Sequence, residues 1–134
     1  MTDPALPDPG IVRMRCKHSV AVTMQRLQSL LKDRGISVFA HIDFSGDAQR
    51  AGLSMPPEQL LLFGNPKAGT PLMLAHPEAG LDLPLKALIW EDGSGQTWLG
   101  YNEPSYIIQR HALQPSFNAN LQAAMPLLHQ AAEG

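Results

Sequence analysis

Residues 84–91 (PLKALIWE) and 96–102 (QTWLGYN) are strand-like, and only Asp92-Gly93-Ser94-Gly95 separates them. That junction limits the possible folds more than any other part of the chain. Four residues, two of them glycines free to take positive φ, are too few for a crossover, so the two stretches must form an antiparallel hairpin. An all-parallel sheet is excluded.

The other elements follow from periodicity. Residues 11–17 alternate, with Val12, Met14 and Cys16 on one side and Arg13, Arg15 and Lys17 on the other, the pattern of a half-buried strand. Ser19 is placed to cap a helix carrying Val20, Met24, Leu27 and Leu31 and ending at Gly35. Residues 36–43 alternate again, and this pattern assigns Ile36, Val38, Ala40 and Ile42 to the core. A short helix over 44–53 is expected to be capped by Asp43 or Ser45, and the apolar run 59–63 (QLLLF) predicts a strand inside the sheet. Thr70 and Pro71 predict a helix over 69–75. Helices over 103–112 and 116–130 complete the chain, the last one kinked or split by Pro126. The order is β-α-β-α-β-α-β-β-α-α. It defines an α+β fold in which an antiparallel or mixed sheet has helices packed on one face. The other face is left for solvent, a ligand or another subunit, and should carry Arg13, Arg15, Lys17, Phe39 and His41, with Trp90 or Tyr101 from the hairpin.

With 134 residues, 44% of them hydrophobic and 16% charged, the chain suits one folded, soluble domain over 11–134, preceded by a loose tail over 1–10 rich in proline and aspartate. No run reaches the roughly 20 apolar residues of a membrane span. A net charge of −2 argues against general nucleic-acid binding. The single Cys16 permits no internal disulfide, and the first ten residues lack the features of a signal peptide, so a reducing cytoplasm is the expected setting.

No motif identifies a reaction. Residues 64–70 (GNPKAGT) lie between a strand and a helix as a phosphate loop would, but Thr70-Pro71 stands where Lys-Ser/Thr is required, so a turn is the better reading. Amides near Gly69 and Thr70 still offer a place for a small anion. His41 and Asp43, and likewise His76 and Glu78, are paired at a spacing that suits metal or proton chemistry, but neither pair is a metal motif. Lys86, Glu91 and His111 are further acid-base candidates without a sequence-defined partner. Cys16 is expected to behave as a small core hydrophobe, and Trp90, Trp98 and Tyr101 as core or interface aromatics.

Four segments, VFAHID (38–43), LLFGNP (61–66), LDLPLK (81–86) and Tyr101-Asn102, together resemble the bacterial and archaeal family DUF302, in order and in spacing, over residues 12–113. The resemblance implies a TATA-box-binding-protein-like α+β fold and pairing into homodimers. It brings no accepted catalytic residues. Its recurring polar positions fall on Asp43, Asn65, Pro66, Asp82, Lys86, Tyr101 and Asn102. Residues 114–134 lie beyond its motifs and are expected to form an added helical segment over the core or across a subunit boundary.

These readings lead to a cytoplasmic homodimeric binding module for a small anionic ligand, with no nucleic-acid or membrane partner. His41, Asp43, Asn65, Lys86, Tyr101 and Asn102 are its candidate ligand-binding residues; no catalytic residue, metal ligand or cofactor is assigned. Two alternatives stand beside it. One is a small enzyme using His41 and Asp43, with or without a metal, for proton transfer or hydrolysis; the other is an accessory subunit docking on a protein partner.

Overall fold

The alternation at the start of the chain becomes strand β1 (Ile11–Cys16), which pairs with the last strand and so turns Met14 and Cys16 toward the core and Arg13 and Arg15 away from it. The structure, a computed structural model, describes residues 10–134. The expected tail therefore lies outside the described residues except for Gly10, whose carbonyl accepts from the Glu103 amide at 2.6 Å.

Helix α1 (Val20–Asp33) begins where the Ser19 hydroxyl accepts from the Val22 amide. It ends in a turn that returns the Ile36 amide to the Leu31 carbonyl, with Gly35 at φ +70°. Strand β2 (Ser37–Asp43) runs directly into α2 (Phe44–Arg50), capped by Asp43. Then come β3 (Glu58–Gly64), α3 (Pro66–Ala75) and a 3₁₀ turn over Pro77–Leu81. The predicted hairpin is β4 (Leu85–Glu91) with β5 (Thr97–Asn102). Helices α4 (Pro104–Arg110), α5 (Asn118–Gln122) and α6 (Met125–Glu133) follow, the last two being the helix that Pro126 was expected to divide.

The five strands lie in the order β1-β5-β4-β3-β2, and every neighbouring pair is antiparallel, which settles the α+β class. Helices α1 and α6 pack against each other over one sheet face. Leu27, Leu31, Leu61, Phe63, Ile89, Leu99 and Leu128 are fully buried there. Each such side chain contributes about 1.5–3 kcal/mol on removal from water, enough to specify which face the helices cover. The C-terminal helix is held at its far end as well. Arg26 of α1 donates to the carbonyls of Gln130 and Ala131, and the Lys17 amide donates to Ala132, so carbonyls left over at the end of α6 find partners on α1 and just after β1. Residues 114–134 are thus part of the core.

Three expectations need correction. In β2 the register against β3 shifts between Val38 and Ala40. Because a bulge changes the phase of alternation, Ala40 and Ile42 sit opposite Leu62 and Leu60 on the face away from α1 and α6, while His41 sits opposite Leu61 on the helix side. Val38 is 42% exposed, and only Ile36 of the four expected core residues packs against the core. Second, α3 begins at Pro66, four residues before the predicted cap at Thr70. The Asn65 side chain accepts from the Lys67 amide, and Pro66 takes the first turn, where its missing N–H costs nothing. Third, Tyr101 faces the helix layer. Of the hairpin aromatics, Trp90 and Trp98 pair across the open face, where the Arg15 guanidinium lies 5.5 Å from the Trp98 ring centroid.

Candidate functional site

The end of the sheet where β3 stops and β4 starts is closed by helix ends and loops, and these leave a cavity of about 300 Å³. Each wall has a local cause. The cap at Asn65 and the proline at the first helical position turn the chain sharply out of β3 into α3, bringing Gly69 and Met73 to one side. The Asn120 amide donates to the Ala68 carbonyl at 3.0 Å, tying α5 to α3 and supplying Leu121 and Ala124. Leu83 and Pro84, joined by a cis peptide bond, form the wall beside β4. Phe39, 51% exposed at the β2 bulge, lies with its ring 3.6 Å from the position a Gly64 Cβ would take.

Asp82 anchors the Leu83-Pro84 wall. Its carboxylate accepts from His111 Nε2 at 2.6 Å and from Arg110 Nη1 at 3.0 and 3.1 Å, joining the 3₁₀ turn to the end of α4. The His111 side chain is 8% exposed and that of Asp82 14%, so this ion-pair geometry is shielded from solvent on the histidine side. Asp82 and His111 are 29 residues apart in sequence. No spacing rule could have paired them.

The six candidate ligand-binding residues do not converge. Asn65 lines the cavity, but its side-chain oxygen is engaged as the cap of α3. His41 has one ring nitrogen 3.2 Å from Gln28 Nε2 and the other 2.7 Å from Gln59 Oε1, so two neutral amides hold it against the helix side of the edge strand. Asp43 caps α2, and hydrogen bonds from the Gly46 amide and then the Ser45 hydroxyl hold its carboxyl below the ordinary value. It lines a second, more open depression of about 460 Å³ together with Gln49, Leu53 and Met55. Lys86 lies opposite Leu62 on the open face, its ammonium donating to the Pro84 carbonyl at 3.3 Å. The Tyr101 hydroxyl is 3.1 Å from His129 Nε2 of α6, and burial first, then the Glu103 charge, pushes its pKa up. Asn102 pairs with Ile11 at the end of β5.

His41 and Asp43 are hydrogen-bonded to different neighbours and do not form an acid-base pair. Burial raises the Cys16 thiol to about 11, far from thiolate character at neutral pH. Among the described residues, no three His, Cys, Asp or Glu side chains gather as a metal ion would require. The anion cradle expected near Gly69 and Thr70 is also displaced. With α3 starting at Pro66, the Ala68 and Gly69 amides donate to the Asn65 carbonyl within the helix. Sequence reasoning missed Phe39, Leu83 and Asn120 as cavity residues. Leu83 and Pro84 were visible only as part of the LDLPLK segment.

Fold and cavity together define the class: a helix-covered, wholly antiparallel five-stranded α+β unit with an uncharged, mostly apolar cavity at one end of its sheet. The chain belongs to the family described as domain of unknown function DUF302, whose model matches residues 12–131. The match extends past residue 113, to residue 131. The fold is also that of an uncharacterized conserved DUF302 protein from Bacillus stearothermophilus, with a TM-score of 0.75, 19% identity, and coverage of 92% of this chain and 95% of that one. In sequence, the chain is 45% identical over 116 residues to proteins named fluoride-specific ion channel FluC 1 from Brucella suis and Brucella abortus. The matched region is 87% of this chain but only 46% and 43% of those proteins, so the chain spans less than half their length. Among the described residues, no helix is long and apolar enough to cross a membrane.

Proposed function

We propose that this chain is a small-molecule-binding module, with the cavity between α3, α5 and the Leu83-Pro84 wall as its site. The observation that carries the proposal is the convergence of three sequence-distant segments on one concave, apolar space, which is the usual form of a ligand site.

The test is a cavity-filling variant. A Cβ built on Gly69 would lie 3.9 Å from Leu83 Cδ1, an ordinary contact, so Gly69→Leu starts without a clash on the cavity wall. Gentle purification followed by native mass spectrometry and small-molecule extraction should recover a ligand with the parent protein and none with Gly69→Leu, both having the same circular dichroism. Equal recovery from both would place the ligand elsewhere and overturn the assignment. Asn65→Ala is a poorer probe, because it removes the α3 cap and costs about 1 kcal/mol by itself.

The kinship to the FluC-named proteins supports a second reading, in which the module is an accessory unit of a membrane partner. At 45% identity we read the matched part of those proteins as sharing this fold, in which no helix of the described residues is long and apolar enough to span a bilayer. In this reading the activity in those proteins' name would reside outside the matched region, and the matched region would assist it. A homodimer joined through the open sheet face, where Ile42, Leu60, Leu62, Leu88 and Trp90 are only half-buried, is compatible with either role. The cytoplasm fits the single reduced cysteine.

A further inference from the structure

We propose that the cavity selects an uncharged, mostly apolar small molecule with a single hydrogen-bonding head group, and rejects anions. This rests on the binding-module reading and names the ligand class of the same site.

The lining carries no Asp, Glu, Lys, Arg or His side chain. A carboxylate or phosphate placed there would lose water without gaining a counter-charge, a cost of several kcal/mol that the cavity offers nothing to offset. Backbone donors do not substitute. Pro66 has no N–H, the Lys67 amide is taken by the Asn65 side chain, and the Ala68 and Gly69 amides are taken by the Asn65 carbonyl, so the start of α3 is closed to an anion.

The polar groups that remain are few and neutral. Because Asn65 uses its oxygen toward Lys67, its amide orientation is set and its Nδ2 donor has no partner among the described residues. Asn120 is set the opposite way: its Nδ2 donates to Ala68, leaving Oδ1 as an acceptor. Thr70 adds a hydroxyl. Each of these neutral groups can pair with an alcohol, phenol, carbonyl or amide, and none supplies a counter-charge. Leu83, Leu85 and Leu121 offer the body of such a ligand an apolar wall, and Met73 an adaptable one. At interior packing density about 300 Å³ accepts roughly ten non-hydrogen atoms.

The experiment is a ¹⁵N–¹H correlation titration of the full chain, with the Gly64, Gly69 and Leu121 amides as reporters. The probes are 1-octanol and 2-naphthol on the neutral side, and octanoate, matched in size to 1-octanol, and sodium fluoride on the charged side. Saturable shifts centred on those amides are expected for the neutral probes. The charged probes should bind at least about tenfold more weakly, as an unpaired buried charge dictates, and Gly69→Leu should abolish the response. Binding of octanoate as tight as that of 1-octanol, or saturable binding of fluoride at those amides, would overturn the selectivity while leaving the binding-module reading intact. No saturable shift with any probe, neutral or charged, would overturn both.

Discussion

Ala112 is the one described residue other than glycine with positive φ, at +50°. It follows α4 in a turn that sends the Leu113 amide back to the Ile108 carbonyl at 2.9 Å and buries Leu113. Glycine usually takes this place, since a Cβ in the left-handed region costs about 1–2 kcal/mol while glycine's extra unfolded-state freedom returns about 0.5–1. Ala112→Gly should therefore raise stability by about 0.5–1 kcal/mol, read as a rise of about 2–4 °C in the thermal midpoint. A midpoint that stays put or falls would show that the surrounding turn does not strain the alanine. The same turn holds His111 against Asp82, and here the limits of sequence reading are plain. Each residue could be named as polar and potentially important, but their pairing depends on the 3₁₀ turn and α4 meeting in space.

Among the elements, the β4–β5 hairpin was the most legible, because its turn chemistry is local. Asp92 Oδ1 accepts from the Ser94 and Gln96 amides and the Ser94 hydroxyl, and Oδ2 accepts from Trp98 Nε1 at 2.8 Å. The indole bond first, and then the Ser94 hydroxyl, hold its carboxyl well below the ordinary 3.8. A depressed folded-state pKa stabilises the fold above the unfolded value, and that contribution is lost as pH falls through the folded value. Asp92→Asn keeps an acceptor but not the charge. The stability advantage of the parent over Asp92→Asn should be full at pH 6 and shrink steadily below about pH 4, as read from urea midpoints across that range. A pH-independent difference would mean that the charge plays no part in the turn. Helix α3 was less legible. Asn65-Pro66 and Thr70-Pro71 are both good helix starts, and a local rule cannot rank two caps five residues apart. The end of β3 decides, since the chain must turn at Gly64.

At the scale of the whole molecule, the two sheet faces have different fates. One is buried under α1 and α6. The other carries Ile42, Leu60, Leu62, Leu88 and Trp90 beside Lys86, Arg15 and Glu58, with the Trp90 ring lying so close to Gly100 that a Cβ there would sit 3.0 Å from it. An apolar sheet face of this kind is the natural seat of a self-complementary contact. If it joins two copies, sedimentation equilibrium should give twice the 14.6 kDa chain mass for the parent and a single chain mass for Leu62→Lys, with unchanged circular dichroism for both. A parent that sediments as a monomer would dismiss the homodimer through this face.

What the sequence determined by itself is what short-range physics controls. The periodicities of β1 and α1, the cap at Ser19, a helix start at Asp43 or Ser45, the hairpin turn and a break near Pro126 each depend on residues within a few positions of one another, and the α+β class follows from their order. The tertiary structure alone decided the rest. The bulge in β2 exchanges the faces of Ala40, His41 and Ile42, because phase there is set by pairing with β3 and not by alternation. The cavity exists because the ends of β3, α3 and α5 meet the Leu83-Pro84 wall. Its lack of charge is a property of that meeting, and cannot be read from residues that are polar one by one along the chain.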